Sequence, residues 1–241
     1  MKKNLKLPTI LGVIVLVFGV VAGVFLINSQ QVFKIGANVD GIPKNVRVSN
    51  ITDNSATVTW TTDVASKGFV KWGKSELSLG KVALEDDSQA SVVHSANIVG
   101  IETGSSFYFK INSDSKDYDN QGIAWQATTL NTKVNSNSNQ IASGTILETD
   151  GSTPGKAIVY LTINGAVASA QTSPEGNFVI PLSTYFESII DTSPIEITVQ
   201  GGVKGTTQAV IYPKSIKFIP TMILGRAYDF RSAEINNSNQ Q

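Results

Sequence analysis

Ala56-Thr57-Val58-Thr59-Trp60-Thr61-Thr62 is the stretch that decides the fold. Apolar Ala56, Val58 and Trp60 alternate with Thr57, Thr59 and Thr61, the period of two that sends successive side chains to opposite faces of a β-strand. Threonine, valine and tryptophan also suit a pleated, half-buried surface. The same rhythm runs outward on both sides. Val46 and Val48 alternate with Arg47 and Ser49, and Val70 and Trp72 flank Lys71. Val92, His94, Ala96 and Ile98 share one face of a longer run, and Phe107, Phe109 and Ile111 alternate with Tyr108 and Lys110. Ile123, Trp125 and Ala127 close the series. No amphipathic helix intervenes, so residues 42–130 are expected to form an antiparallel β-sandwich. Its core is expected to hold Trp60, Trp72, His94, Phe107 and Trp125.

Toward the amino terminus, residues 7–27 are an unbroken apolar run without a charged side chain, preceded by Lys2, Lys3 and Lys6. About 20 helical residues span a hydrocarbon core about 30 Å thick. The basic residues favour the cytoplasmic side, which places everything after Asn28 outside. A signal peptide has a shorter core and small residues at its cleavage site. Here the exit reads Ile27-Asn28-Ser29-Gln30, so an uncleaved single-pass anchor is favoured over cleavage. Residues 1–6 are then cytoplasmic and 28–41 form a spacer.

The 241 residues carry 19 basic and 19 acidic side chains, one His and no Cys. Balanced charge argues against a nucleic-acid partner, which needs a clustered basic surface. Without cysteine there are no disulfides, thiolate metal sites or Cys nucleophiles. With a single imidazole, acid–base catalysis is not expected, and no cofactor is implied.

Pro43-Lys44-Asn45-Val46-Arg47-Val48, residues 56–62, and Gly68-Phe69-Val70-Lys71-Trp72-Gly73 resemble the first three strands of a fibronectin type III domain. His94 and the run Gly100-Ile101-Glu102-Thr103-Gly104-Ser105-Ser106-Phe107 are similar to that family's tyrosine corner, in the subtype found before the catalytic domain of purple acid phosphatases. The resemblance covers about 90 residues, a usual sandwich size. Phe107 stands where the family has its corner tyrosine, and Thr103 where it has proline. One His cannot supply a dinuclear metal site, so no phosphatase activity is expected.

Residues 131–140 are polar and read as a flexible linker. A second β-sandwich is expected over 141–230, with strands in Ser143-Gly144-Thr145-Ile146-Leu147, in residues 155–161 and in residues 173–180, then at 195–200, 207–212 and 221–230. Gly155-Lys156-Ala157-Ile158-Val159 and Gly176-Asn177-Phe178 resemble the carboxypeptidase-regulatory, transthyretin-like (prealbumin-like) family. Residues 231–241 read as a polar tail. The fold class is thus all-β: two antiparallel sandwiches in tandem behind one transmembrane helix, spaced like beads.

Few side chains suggest chemistry. His94 could serve a triad with Ser91 or Asp87, but the alternation places it on the core face. Asp114, Asp117 and Asp119 could gather calcium oxygens, although Asp is a default turn residue and solvation of a hairpin tip is favoured. Glu85-Asp86-Asp87 reads as an exposed loop. Tyr108, outward beside Lys110, and Tyr118, in the acidic loop, are the aromatic binding candidates. Asn50-Ile51-Thr52 and Asn236-Asn237-Ser238 match a glycosylation pattern short enough to arise by chance. The expected role is a non-enzymatic adhesion, scaffold or envelope-interaction module with a protein or polysaccharide partner. The alternatives are a carbohydrate-binding surface module and a hydrolase using His94.

Overall fold

The computed structural model describes residues 41–85, 89–135, 140–189 and 192–232. The expected span at 7–27, Asp86, Asp87, Asn236 and the polar tail from residue 233 lie outside them. Among the described residues no helix is long and apolar enough to cross a membrane.

Residues 44–128 supply eight strands: β1 (Lys44–Ser49), β2 (Ser55–Ser66), β3 (Gly68–Gly73), β4 (Lys81–Leu84), β5 (Ser91–Val99), β6 (Ser106–Ser113), β7 (Lys116–Tyr118) and β8 (Trp125–Thr128). One sheet has the order β1-β2-β5 and the other β4-β3-β6, with β7 and β8 both pairing along β6. Every pairing is antiparallel. This is an antiparallel β-sandwich. Ala56, Val58, Trp60, Val70, Trp72, Phe107, Phe109 and Ile111 fill its core, and Trp125 packs against them. The alternation read from Trp60 outward therefore places the buried aromatics correctly.

The corner works without a tyrosine. Thr129 Oγ1 donates to the Glu102 carbonyl at 2.7 Å and accepts from the Ser105 N–H at 3.1 Å. Phe107 is freed to be wholly apolar beneath it. Ile123 departs from the expected strand: it is 58% exposed and sits in a turn bridged to Asn120, and β8 begins only at Trp125.

Residues 141–229 form a second sandwich: β9 (Ile141–Leu147), β10 (Ile158–Ile163), β11 (Ala166–Gln171), β12 (Asn177–Pro181), β13 (Ile195–Gln200), β14 (Thr206–Ile211), β15 (Met222–Ile223) and β16 (Ala227–Asp229). Its sheets have the orders β11-β10-β13-β14-β16 and β12-β9-β15. Ile146, Val159, Leu161, Phe178, Ile180, Ile197, Val199 and Met222 interdigitate between them. Residues 221–230 are two strands, not one. Gly225, at φ +81°, turns the chain so that β15 joins β9 in one sheet and β16 joins β14 in the other, both in parallel.

The sandwiches touch, which differs from separate beads on a flexible segment. The threonine face of β2 is covered: Thr57, Thr59 and Thr61 are all buried. Thr59 Oγ1 lies 2.7 Å from the Tyr160 hydroxyl, and Ser49 Oγ lies 2.7 Å from Ser169 Oγ. Arg47 sets its guanidinium 4.7 Å from the centre of the Tyr160 ring, a cation–π contact. Val93 joins Ile158 and Tyr160 in a small apolar cluster. Val92, expected on the His94 face, packs there too. Asn50 pins the seam. In the left-handed region at φ +52°, its backbone N–H donates to Val167 O at 2.9 Å. Its amide accepts from the Ser169 N–H at 2.7 Å and donates to the Ser169 carbonyl at 3.0 Å. One side chain thereby caps the open edge of β11, where unpaired backbone groups would otherwise template another strand.

Candidate functional site

His94 lies on β5 and is fully buried, stacked on Trp60 with ring centres 5.0 Å apart and planes within 2°. Its Nδ1 is 3.0 Å from Glu85 Oε1, and its Nε2 is 3.0 Å from Thr62 Oγ1 and 3.3 Å from Ser66 Oγ. Ser113 Oγ donates to Ser66 Oγ at 3.1 Å. The ring thus lies between the Glu85 carboxyl group on one side and the Thr62 and Ser66 hydroxyls on the other. Glu85, expected in an exposed loop, instead turns its carboxylate inward beside the ring. Ser91 engages the Val93 N–H and is not the partner of His94; Asp87 lies outside the described residues. Carboxylate, imidazole and hydroxyl follow one another as in a hydrolytic triad. Here, however, Thr62 and Ser66 are buried with the ring, and Thr62 donates its proton to Val64 O at 2.7 Å. The group works as a sealed polar network that ties β2, β5, β6 and the end of β4 together.

The three acidic candidates do not converge. Asp114 Oδ1 accepts from the Lys67 N–H at 3.2 Å. Asp117 meets Lys71 Nζ at 2.6 Å and the Asn112 amide at 2.6 Å. Asp119 meets Lys110 Nζ at 2.9 Å and the Gly122 N–H at 2.8 Å. The Lys71 hydrogen bond, then the Asn112 amide, hold the Asp117 carboxyl below the ordinary carboxylate range. Lys110 and then Gly122 do the same for Asp119. Among the described residues no three His, Cys, Asp or Glu side chains gather in a way that could hold a metal ion.

These ion pairs belong to an open face. Because Val70, Trp72, Phe107, Phe109 and Ile111 point into the core, alternation sends Phe69, Lys71, Tyr108 and Lys110 outward. Register sets Leu84 beside Phe69 and Val82 beside Lys71, with Lys110 on the other side of Lys71. Leu84 is 69% exposed and Val82 54%. The result is a mixed surface: an apolar strip at β4 and β3, then a Lys71–Asp117 and Lys110–Asp119 pair of ion bridges, with Tyr108 one step along β6. Tyr118 is not part of it. Its register partner is Ile111, so it stands on the core side of the sheet and is partly buried. The sequence pointed to Tyr108 but missed Phe69, Val82 and Leu84, because β4 is too short to show a period.

No family model matches the chain, and no curated protein sequence does. Among solved structures, the longer form of the sensor domain of the anti-sigma factor RsgI4 of Pseudobacteroides cellulosolvens is similar at 16% identity and TM-score 0.29, over 40% of this chain and 98% of that one. The first three fibronectin domains of chicken CNTN1 are similar at 17% identity and TM-score 0.29, over 70% of this chain and 64% of that one.

Proposed function

We propose that this chain is a non-enzymatic interaction module, anchored in the cytoplasmic membrane through residues 7–27, that displays two β-sandwiches on the outer side to a protein partner of the cell envelope. The second sandwich is read as carboxypeptidase-regulatory-like, on its Gly155–Val159 and Gly176–Phe178 motifs and its two-sheet layout. The observation that carries the reading is the uncovered outer face of the β4-β3-β6 sheet. The second sandwich packs on the β1-β2-β5 sheet, so among the described residues this face is the broad surface of the first sandwich left facing outward. It combines exposed Val82 and Leu84 with Phe69, Tyr108 and paired charges, the apolar-centre, polar-rim composition of protein interfaces.

The test is photo-crosslinking in cells, with a photoreactive residue placed at Leu84 and, as a control, at Val203 on the second sandwich, which is also exposed. A discrete adduct at Leu84, absent at Val203 and removed by Val82→Asp, supports the reading. Equal labelling at both positions contradicts it. A carbohydrate-binding surface is the second reading, favoured by Tyr108 standing on the same face. Glycan-array binding abolished by Tyr108→Ala would support it over the first. The hydrolase reading has the least support, because the hydroxyls beside His94 are closed to a substrate.

A further inference from the structure

Beside the Asn50 pin, the seam opens into a cleft of about 140 Å³ lined by Asn50, Thr57, Ser95, Asn97, Ser169 and Gln171, with Ile158 and Ala170 as the apolar part of its wall. That is far more than the about 10–15 Å³ a single water needs. It is less than the roughly 300–1,000 Å³ of a drug-sized site. No charged side chain lines it. The lining offers an ion no counter-charge, which favours a neutral occupant.

The polar groups are ordered in advance. Asn50 Nδ2 donates to Thr57 Oγ1 at 3.1 Å, and Thr57 Oγ1 donates to Asn97 Oδ1 at 2.7 Å. This chain starts from the Ser169 backbone and fixes which end of the Asn97 amide is which. Asn97 Oδ1 is taken, so the NH₂ of this solvent-exposed side chain stands at the cleft with no acceptor among the described residues. Ser95 and Gln171 also line the cleft and make no side-chain hydrogen bond within the described residues. Two amides and a hydroxyl, each able to donate and, for Gln171 and Ser95, to accept, match the dual character of sugar hydroxyls. The cleft wall is mostly polar, since Ile158 is buried against Val93 and Tyr160. A peptide strand fits less well, because the Ser169 N–H and C=O that would receive it at the β11 edge are occupied by Asn50.

We propose that this cleft binds one ring of a neutral glycan, held by Asn97, Gln171 and Ser95 from both sandwiches at once. The site is separate from the open sheet face, so either can fail alone. Bound between the sandwiches, the sugar would also strengthen the seam.

Saturation-transfer NMR on the full chain in lipid nanodiscs tests this with the methyl glycosides of glucose, galactose and mannose, and with glucuronic and galacturonic acids as charged counterparts. The expected result is saturable transfer to at least one neutral glycoside, with weaker transfer to the acids. Asn97→Ala and Gln171→Ala each should weaken it at least tenfold, and Tyr108→Ala should leave it unchanged. Asn97→Asp keeps the acceptor for Thr57 and removes the NH₂, so it should also abolish binding while the fold is retained. Absence of saturable transfer, transfer that survives Asn97→Asp and Gln171→Ala, or displacement of the glycoside by a capped extended pentapeptide would each overturn the proposal.

Discussion

Trp60 shows how one side chain specifies a sandwich. It is fully buried, stacked on His94, and its Nε1 has no hydrogen-bond partner among the described residues. Truncating a buried aromatic costs about 3–5 kcal/mol, against about 5–15 kcal/mol for a domain. Trp60→Ala should therefore unfold the first sandwich or nearly so. Trp60→Phe should be much milder, since it also removes an unsatisfied N–H. Chemical denaturation followed by tryptophan fluorescence of the remaining Trp72 and Trp125 separates the two outcomes; equal loss in both would mean that the indole N–H is bonded. On the open face, the depressed pKa of Asp117 contributes stability that is present above its ordinary unfolded value and lost as pH falls through the lower folded one. The group is substantially exposed, so the contribution is small. Lys71→Met should raise the Asp117 carboxyl back toward the ordinary range in a carbon-detected NMR titration. An unmoved midpoint would show that the Asn112 amide alone sets it.

At the scale of elements, six of the eight strands of the first sandwich are legible, because runs such as Ala56-x-Val58-x-Trp60 and Phe107-x-Phe109-x-Ile111 bury one full face; β4 and β7 are too short to show a period. Strand β11 was missed, although Asn164-Gly165 announces it. Both residues adopt positive φ, +50° and +81°, as a type I′ hairpin turn requires. Residues 166–171 read Ala-Val-Ala-Ser-Ala-Gln, small side chains with little contrast between faces, and the face of Val167 and Ser169 meets the first sandwich. The buried threonines of β2 were illegible for the same reason: Thr57, Thr59 and Thr61 look like a solvent face until another sheet covers them. His94 was read onto the right face, but its partner Glu85 was not, because a carboxylate next to two aspartates reads as loop. Of the open face, Tyr108 and Lys110 are legible in the sequence, whereas Phe69, Val82 and Leu84 are not. The element-level prediction concerns Asn50. Asn50→Ala removes four amide hydrogen bonds and leaves the Ser169 N–H, in a buried residue, unsatisfied, a cost of about 1–3 kcal/mol. Asn50→Gly keeps the left-handed backbone and so isolates the share of the amide. Urea midpoints unchanged in both variants would show that the seam contributes nothing.

For the whole molecule, the seam converts two sandwiches into one body. Hydroxyl pairs, an arginine over a tyrosine ring and a single asparagine hold it, around the apolar trio Val93, Ile158 and Tyr160. Such a body holds the open sheet at a fixed orientation to the second sandwich, which a flexible pair would not. The chain has no cysteine, so two introduced ones can be spin-labelled without interference. Labels at Leu77 and Val203, both exposed and on different sandwiches, report the geometry by pulsed electron resonance on the full chain. One narrow distance distribution is predicted, broadening when Asn50→Ala and Tyr160→Ala are combined. A broad distribution in the unaltered protein would contradict the welded pair.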